Sequence, residues 1–215
     1  MSLQEQLKAK YEEIKKNAPN EVAIFDADTE SFISSGDAPQ GLQVGDQLAS
    51  FELPNQLGQT ISLDELQGDS NVVISFYRGG WCPYCNIELC VLQQALPEFK
   101  SHGARLIAIS PQLPDESMST AEKNELSFPV LSDAGNKVAR EFGLVFTLSE
   151  QLRPLYESFN IDLPATNGDK SFELPIPATF IIDSDGVVKG AFVNADHKQR
   201  MDPSDIINVL KEIES

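Results

Sequence analysis

The chain has 215 residues, 41% of them hydrophobic and 23% charged, enough to bury a core without disulfides or metals to staple it. Sixteen Lys and Arg against 33 Asp and Glu leave a formal net charge of -17, spread along the chain rather than held in an acidic tail, which disfavours nucleic acid and anionic membranes as partners. No apolar run approaches the roughly 20 residues of a membrane span, and the opening MSLQEQLKAKYEEIKKN lacks the apolar core of a signal peptide, so the expected setting is cytoplasmic.

Residues 3–17 place Leu3, Leu7, Tyr11 and Ile14 at spacings of three and four, predicting a charged helix with a narrow apolar stripe. Such a helix docks on its own domain or on a partner subunit, and a homodimer is compatible with the sequence. EVAIF (21–25) reads as a short strand, and DADTESFISSGD after it superficially resembles a calcium loop. Ser31 stands where that loop needs glycine and Asp37 where it needs a bidentate glutamate, so a solvated acidic loop is the expectation. Residues 1–40 are thus read as an N-terminal helix and acidic extension, and residues 41–215 as one domain.

From Gly41 the pattern becomes α/β. FELPN and a turn at 62–68 lead into NVVISFY (71–77), an apolar run suited to a central strand buried on both faces. Glu88, Leu89, Val91, Leu92, Ala95, Leu96 and Phe99 fit a helix stopped by Gly103, and ARLIAIS (104–110) is a second buried strand. STAEKNEL and NKVAREFG read as helices around FPVLSD; ATFIID and VVKGAFV, joined at Asp185-Gly186, read as a hairpin; PSDIINVLKEIE is a closing helix capped by Ser204. The stretch 144–176 is an insert, with SEQLRPLYESF helical and LPATNGDKSFELP a loop. Strand, helix, strand, helix, hairpin, helix is the order of a thioredoxin-type sheet.

The motif with chemistry in it is Cys82-Pro83-Tyr84-Cys85, preceded by Arg78-Gly79-Gly80-Trp81 and set between the buried strand and the long helix. Unpaired N–H groups and the dipole at a helix start favour a thiolate. Residues three apart on a helix bring their side chains within about 5–6 Å, so the two sulfurs can close a disulfide without unfolding. Reversible dithiol–disulfide cycling is the direct reading. Half a zinc site is the competing one, for which only Cys90, His102 and His197 remain as further Cys or His ligands. In an intact helix Cys90 is about 7.5 Å along the axis from Cys85 and cannot pair with it, so it reads as a packed or half-exposed residue. His102 reads as a helix C-terminal cap, and His197 has no inferable partner. Leu174-Pro175-Ile176-Pro177 precedes the hairpin, and a cis bond before Pro177 would turn the backbone toward the cysteines.

GLQVGDQLASFELPN, VVISFYRGGWCPYCNIEL, LIAISPQ, FPVLSDAGNKVAREFGL and LPIPATFIIDSDG together resemble the peroxiredoxin-like proteins of the alkyl hydroperoxide reductase/thiol-specific antioxidant superfamily, in the subgroup with a thioredoxin-style CxxC. The resemblance implies an α/β fold: a thioredoxin-like domain of peroxiredoxin type, its central mixed sheet flanked by helices, here with an N-terminal helical extension and an insert before the proline strand. It places Cys85 at the peroxidatic position and Cys82 where the superfamily has a peroxide-holding hydroxyl. Pro177 stands where the superfamily has an arginine. Arg78, or less directly Arg153, could replace that charge. The buried acid of thioredoxins aligns with Ser75, which leaves Glu88 and Asp133 as substitutes, each read first as a solvated or capping carboxylate.

The leading expectation is thiol-disulfide exchange with Cys82 attacking and Cys85 resolving, and with Trp81, Tyr84 and Pro177 as the contact surface. The alternative is a peroxidase for hydrogen peroxide or alkyl hydroperoxides, with Cys85 peroxidatic and Cys82 resolving. Substrates are therefore a protein disulfide or a peroxide, and reductants are of thioredoxin or glutathione type. No metal or other cofactor is called for. A non-catalytic redox sensor and a structural zinc protein rank lower.

Overall fold

The computed structural model describes residues 1–214. Two consecutive helices open the chain, α1 (Leu3–Asn17) and α2 (Pro19–Ser35). Ser2 and Glu5 cap α1 reciprocally, each side chain accepting from the other's backbone N–H, and Pro19 starts α2 where its missing donor costs nothing. The strand expected at 21–25 and the acidic loop after it are both part of α2. EVAIF pairs with no strand of the central sheet or of either ribbon. As a helix it packs Phe25 against Tyr156 and, seven residues on, Phe32 against Phe146, and this packing overrides β-propensity. Helical backbone also spreads the acidic side chains around an axis, so no calcium loop forms.

A small antiparallel ribbon, β1 (Glu52–Pro54) and β2 (Thr60–Ser62), leads into the short helix α3 (Leu63–Gln67), where the sequence suggested only a turn. The domain then runs β3 (Asn71–Phe76), α4 (Pro83–Ser101), β4 (Ala104–Ser110), α5 (Pro114–Lys123), β5 (Val130–Ser132) and α6 (Lys137–Glu141). The insert follows as β6 (Val145–Thr147), α7 (Arg153–Ser158), α8 (Leu163–Asn167) and β7 (Glu173–Pro175). The hairpin β8 (Ala178–Ile182) and β9 (Val188–Val193) and the helix α9 (Pro203–Ile213) complete the order. The central sheet has five strands in the order β5-β4-β3-β8-β9, with β3, β4 and β5 parallel and β8 and β9 antiparallel.

Because β3 is the middle strand, both of its faces are covered. Val73 and Tyr77 pack beneath α1, α4 and α9 with Leu3, Leu7, Leu89, Phe99 and Leu210. Val72, Ile74 and Phe76 face the opposite layer, where Phe142 is the hub, its ring centroid 4.7 Å from Phe76 and 5.0 Å from Phe180. The insert is closed by its own ribbon, Val145 opposite Pro175 and Thr147 opposite Glu173, and holds a small core of Leu148, Leu152, Tyr156, Leu163 and Leu174. Helix α7 is shorter than SEQLRPLYESF suggested, because Pro154 can sit only in a first turn. Part of the expected loop forms α8, capped by Asp162, and part forms β7. The final helix is capped by Asp202, whose Oδ1 accepts from the Ser204 N–H, rather than by Ser204. Among the described residues no helix is long and apolar enough to cross a membrane.

Candidate active site

The chain leaves β3 through Arg78-Gly79-Gly80-Trp81 and enters α4 at Pro83. Both glycines are needed there: a Cβ on Gly79 would overlap the Trp81 indole nitrogen, and one on Gly80 would overlap the Thr120 hydroxyl. The Gly80 N–H donates to Gln112 Oε1 at 2.7 Å, which ties the turn to the end of β4. Cys82 is the N-cap residue of α4 and Cys85 lies in its first turn. Both cysteines are free and 0% exposed.

Two guanidinium groups bracket the sulfurs. Arg78 Nη2 lies 3.5 Å from Cys82 Sγ, and Nη1 donates to Tyr156 Oη at 3.1 Å. Arg200, from the loop between β9 and α9, places Nη2 3.3 Å from Cys85 Sγ and donates from Nε to Glu88 Oε2 at 2.5 Å. Arg200 and Glu88 are both buried and neutralise each other. Arg78 is also buried, yet among the described residues no carboxylate forms an ion pair with it. Its nearest ionisable neighbours are the Tyr156 hydroxyl, whose ionisation burial opposes, and the Cys82 sulfur. Burial pushes the Cys82 thiol up, but a hydrogen bond from Cys85 and the charges of Arg78 and Arg200 outweigh it and hold Cys82 well below the ordinary thiol range. Cys85 goes the other way, raised by burial, by its hydrogen bond to Cys82 and by the Cys82 charge. These surroundings favour the charged form at Cys82 and the protonated form at Cys85.

The residues singled out from the sequence are distributed unevenly. Cys82, Cys85, Arg78, Trp81 and Tyr84 come together; Trp81 lies under Arg78, 5.2 Å from guanidinium to ring. The expected contact surface is not a surface. Tyr84 and Pro177 are buried and Trp81 is half-buried, because α1, α2 and the insert cover this end of the sheet. The bond before Pro177 is trans, as are all the peptide bonds described, and the backbone passes directly from β7 into β8. Arg153 is no substitute charge, since it stacks over Phe172 at 4.3 Å and points to the Leu148 carbonyl. Asp133 caps α6, accepting from the Val138 and Ala139 N–H groups. Ser75 is buried with an unpartnered hydroxyl and cannot act as the acid that thioredoxins place there. Cys90 is half-buried and bonds Asn124, and His102 ends α4 with Nδ1 3.1 Å from Glu214.

Two residues escaped sequence reasoning, and a third, His197, was named there without a partner. Arg200 lies 115 positions from Cys85 in a polar loop, with nothing local to mark it. Tyr156 is hidden in the insert helix. His197 faces the Tyr84 ring at 5.8 Å, and desolvation, reinforced by Arg78, Lys198 and Arg200, holds it neutral, well below 6.5. Glu88 was named from the sequence only as a weak substitute acid; burial raises its carboxyl and Arg200 opposes that rise.

A model of the AhpC/TSA family matches residues 44–191. The curated protein Peroxiredoxin Bcp of Escherichia coli (strain K12) is 29% identical over 171 residues, covering 80% of this chain and 97% of the relative. The chloroplastic Peroxiredoxin Q of Populus jackii is 32% identical over 145 residues, 67% of this chain and 57% of the relative. Among solved structures, peroxidoxin BcpB from Mycobacterium tuberculosis superposes with a TM-score of 0.64 at 27% identity, covering 81% of this chain and 99% of that one.

Proposed function

This chain belongs to the AhpC/TSA family and is an oxidoreductase with a peroxiredoxin-type thioredoxin fold, and from that premise we propose that it is a thiol-dependent peroxidase working through the CPYC dithiol. The observation that carries the proposal is the buried Arg78, 3.5 Å from Cys82 Sγ and with no carboxylate paired to it among the described residues. A peroxidase needs a thiolate at neutral pH and a fixed donor for charge developing on the peroxide oxygens. Arg78 supplies both, in place of the hydroxyl and arginine that the family pattern leads one to expect at positions 82 and 177.

In this reading the Cys82 thiolate attacks one peroxide oxygen, the O–O bond breaks, and the second oxygen leaves as water or an alcohol after taking a proton from solvent. Cys82 becomes a sulfenic acid. Cys85 then attacks that sulfur; its thiol proton joins the departing hydroxyl as water, and the disulfide forms. A thioredoxin- or glutathione-type dithiol or thiol pair returns two electrons and two protons to close the cycle. Arg200, held by Glu88, steadies Cys85 as its charge grows.

Thiol-disulfide exchange with a protein substrate, the leading expectation from sequence, is the less supported alternative. The matched relatives are peroxiredoxins, which favours a peroxide over a protein disulfide; with both sulfurs 0% exposed, any substrate and the reductant alike need this end of the sheet to open. The reverse order of attack, Cys85 first, is the one the family pattern implies, since it places Cys85 at the peroxidatic position, and the 3.3 Å approach of Arg200 to that sulfur also favours it.

The test is the rate of Trp81 fluorescence change when reduced protein meets hydrogen peroxide. The expected result is a second-order reaction faster than that of a free thiol, lost in Cys82→Ser and kept in Cys85→Ser, which should stop at a dimedone-reactive sulfenic acid. The opposite pattern in the two variants would reverse the order of attack. A wild-type rate no better than an ordinary thiol would overturn the peroxidase reading.

A further inference from the structure

Helix α2 lies outside the span 44–191 that the family model matches, and it is attached to the fold quite differently from α1. Leu3 and Leu7 sink α1 into the main core beside Leu89 and Phe99. Of the 17 residues of α2 only Val22 is buried, against seven of the 19 in α4. A helix with so little apolar burial belongs to the low end of local stability, where segments open without global unfolding.

The underside of α2 bridges space rather than filling it. A cavity of about 470 Å³ lies between Val22 and Phe25 on one side and Arg78, Trp81 and Tyr84 on the other. A smaller one of about 30 Å³ lies between Phe32 and the pair Arg78 and Pro177. Atoms that line a void lack the dispersion contacts of close packing, so lifting α2 forfeits little. What holds it down is a few specific ties. Phe25 meets the rings of Tyr156 and Phe159 at 6.0 and 6.4 Å, and Phe32 meets Phe146 at 5.3 Å. Asp28 Oδ1 accepts from Ser149 Oγ at 2.6 Å and from Gln151 Nε2 at 2.8 Å. Asp26 accepts from Lys198 Nζ at 3.0 Å and from the Tyr11 hydroxyl at 2.7 Å. Each end of the helix offers a pivot: Ala18 joins α1 to α2 without a side-chain cap, and Gly36 ends α2 in the left-handed region, at φ 77°. The ties also reach the two segments that carry the arginines of the site, since Tyr156 accepts from Arg78 and Lys198 is two residues from Arg200.

We propose that α2 is a lid, pivoting at Ala18 and Gly36, whose opening uncovers Arg78 and Trp81 and so admits reagents to Cys82, which follows Trp81 directly and lies 3.5 Å from Arg78 Nη2. With both sulfurs 0% exposed in the closed form, the lid sets the fraction of time in which the dithiol can react. It acts on any reagent, and so stands apart from the choice between peroxide and disulfide.

The test is iodoacetamide alkylation of the reduced full chain, read for each cysteine by mass spectrometry on the high-pH plateau, where ionisation no longer limits the rate. A buried thiol reacts in proportion to its open population. Asp28→Ala removes both ties to the insert and Phe25→Ala removes the ring contacts. Each should speed Cys82 alkylation by roughly tenfold, the scale of one lost hydrogen bond to a charged group. Cys90, half-buried against Asn124, should keep its wild-type rate. Amide hydrogen exchange should be faster in α2 than in β3, faster still in both variants, and unchanged in the first turn of α4. A Cys82 rate that neither variant moves would overturn the lid, as would α2 amides protected as strongly as those of β3. Faster alkylation matched by equally faster exchange in the first turn of α4 would place the opening there and overturn the lid too. No peroxide enters these measurements, so failure of the peroxidase reading leaves them unaffected.

Discussion

Replacing Arg78 by Met isolates the interaction on which the proposed chemistry depends. The side chain keeps its bulk between Tyr156 and Trp81 but loses the charge 3.5 Å from Cys82 Sγ. At that distance and an effective dielectric constant of about 20, the attraction between guanidinium and thiolate is about 5 kcal/mol. Part of it survives the change, because Arg200 also acts on Cys82. Opposite charges at this range typically change the ionised population at fixed pH by about tenfold to a thousandfold. The sign is clear: without Arg78 the thiol is harder to ionise, so the pH dependence of its alkylation by iodoacetamide moves to higher pH. At neutral pH the variant should react between about ten and a thousand times more slowly, and it should recover wild-type rates in base. Thiolate absorbance near 240 nm, followed against pH in a Cys85→Ser background, reads the same quantity. A profile superposable on that of the wild type would refute the claim that Arg78 holds the thiolate.

Glu88→Gln leaves Arg200 buried without its counter-charge, and breaking such a pair costs about 3–5 kcal/mol. At roughly 2–4 °C per kcal/mol for a chain of this size, Tm should fall by about 6–20 °C; calorimetry showing almost no fall would mean that the carboxyl is already neutral. Tyr156→Phe removes the acceptor of the Arg78 Nη1 bond and should cost about 1.5–3 kcal/mol in urea unfolding, with unchanged stability the contrary result. His197 is held neutral in the fold, well below its ordinary 6.5, so the unfolded chain binds its proton first and stability is lost as pH falls from 6.5 toward the folded value. His197→Gln should therefore flatten the acid side of a stability-against-pH curve, and an unaltered curve would exclude the histidine as its source.

What could be read from the sequence was set by local signals. The unbroken run of β3 gave away a strand covered on both sides, and CPYC between that run and a 3.6-period pattern located the reactive turn without any tertiary information. Arg78 was visible for the same reason, being four residues from Cys82. Arg200 was invisible because its role comes from the fold bringing the loop before α9 against α4. The extension was misread where EVAIF has β-type residues: its helical state depends on rings from the insert, and those contacts have no trace in the segment itself. The Pro177 bond depended on how β7 delivers the chain to β8, a tertiary property that two prolines do not encode. Exposure of Trp81 and Tyr84 was overestimated for a related reason, since the helices that cover them precede the family-matched span.

The solitary charge of Arg78 has a further consequence for energetics over the whole cycle. A disulfide carries no charge, so in the proposed cycle oxidation of Cys82 would remove the counter-ion and leave a buried guanidinium with the Tyr156 hydroxyl and the Trp81 ring beside it. Whatever stabilises the reduced dithiol raises the reduction potential of the couple, by about 30 mV for each 1.4 kcal/mol. On the proposed chemistry, the arginine that prepares the sulfur for attack would thereby also bias the oxidised protein toward accepting electrons.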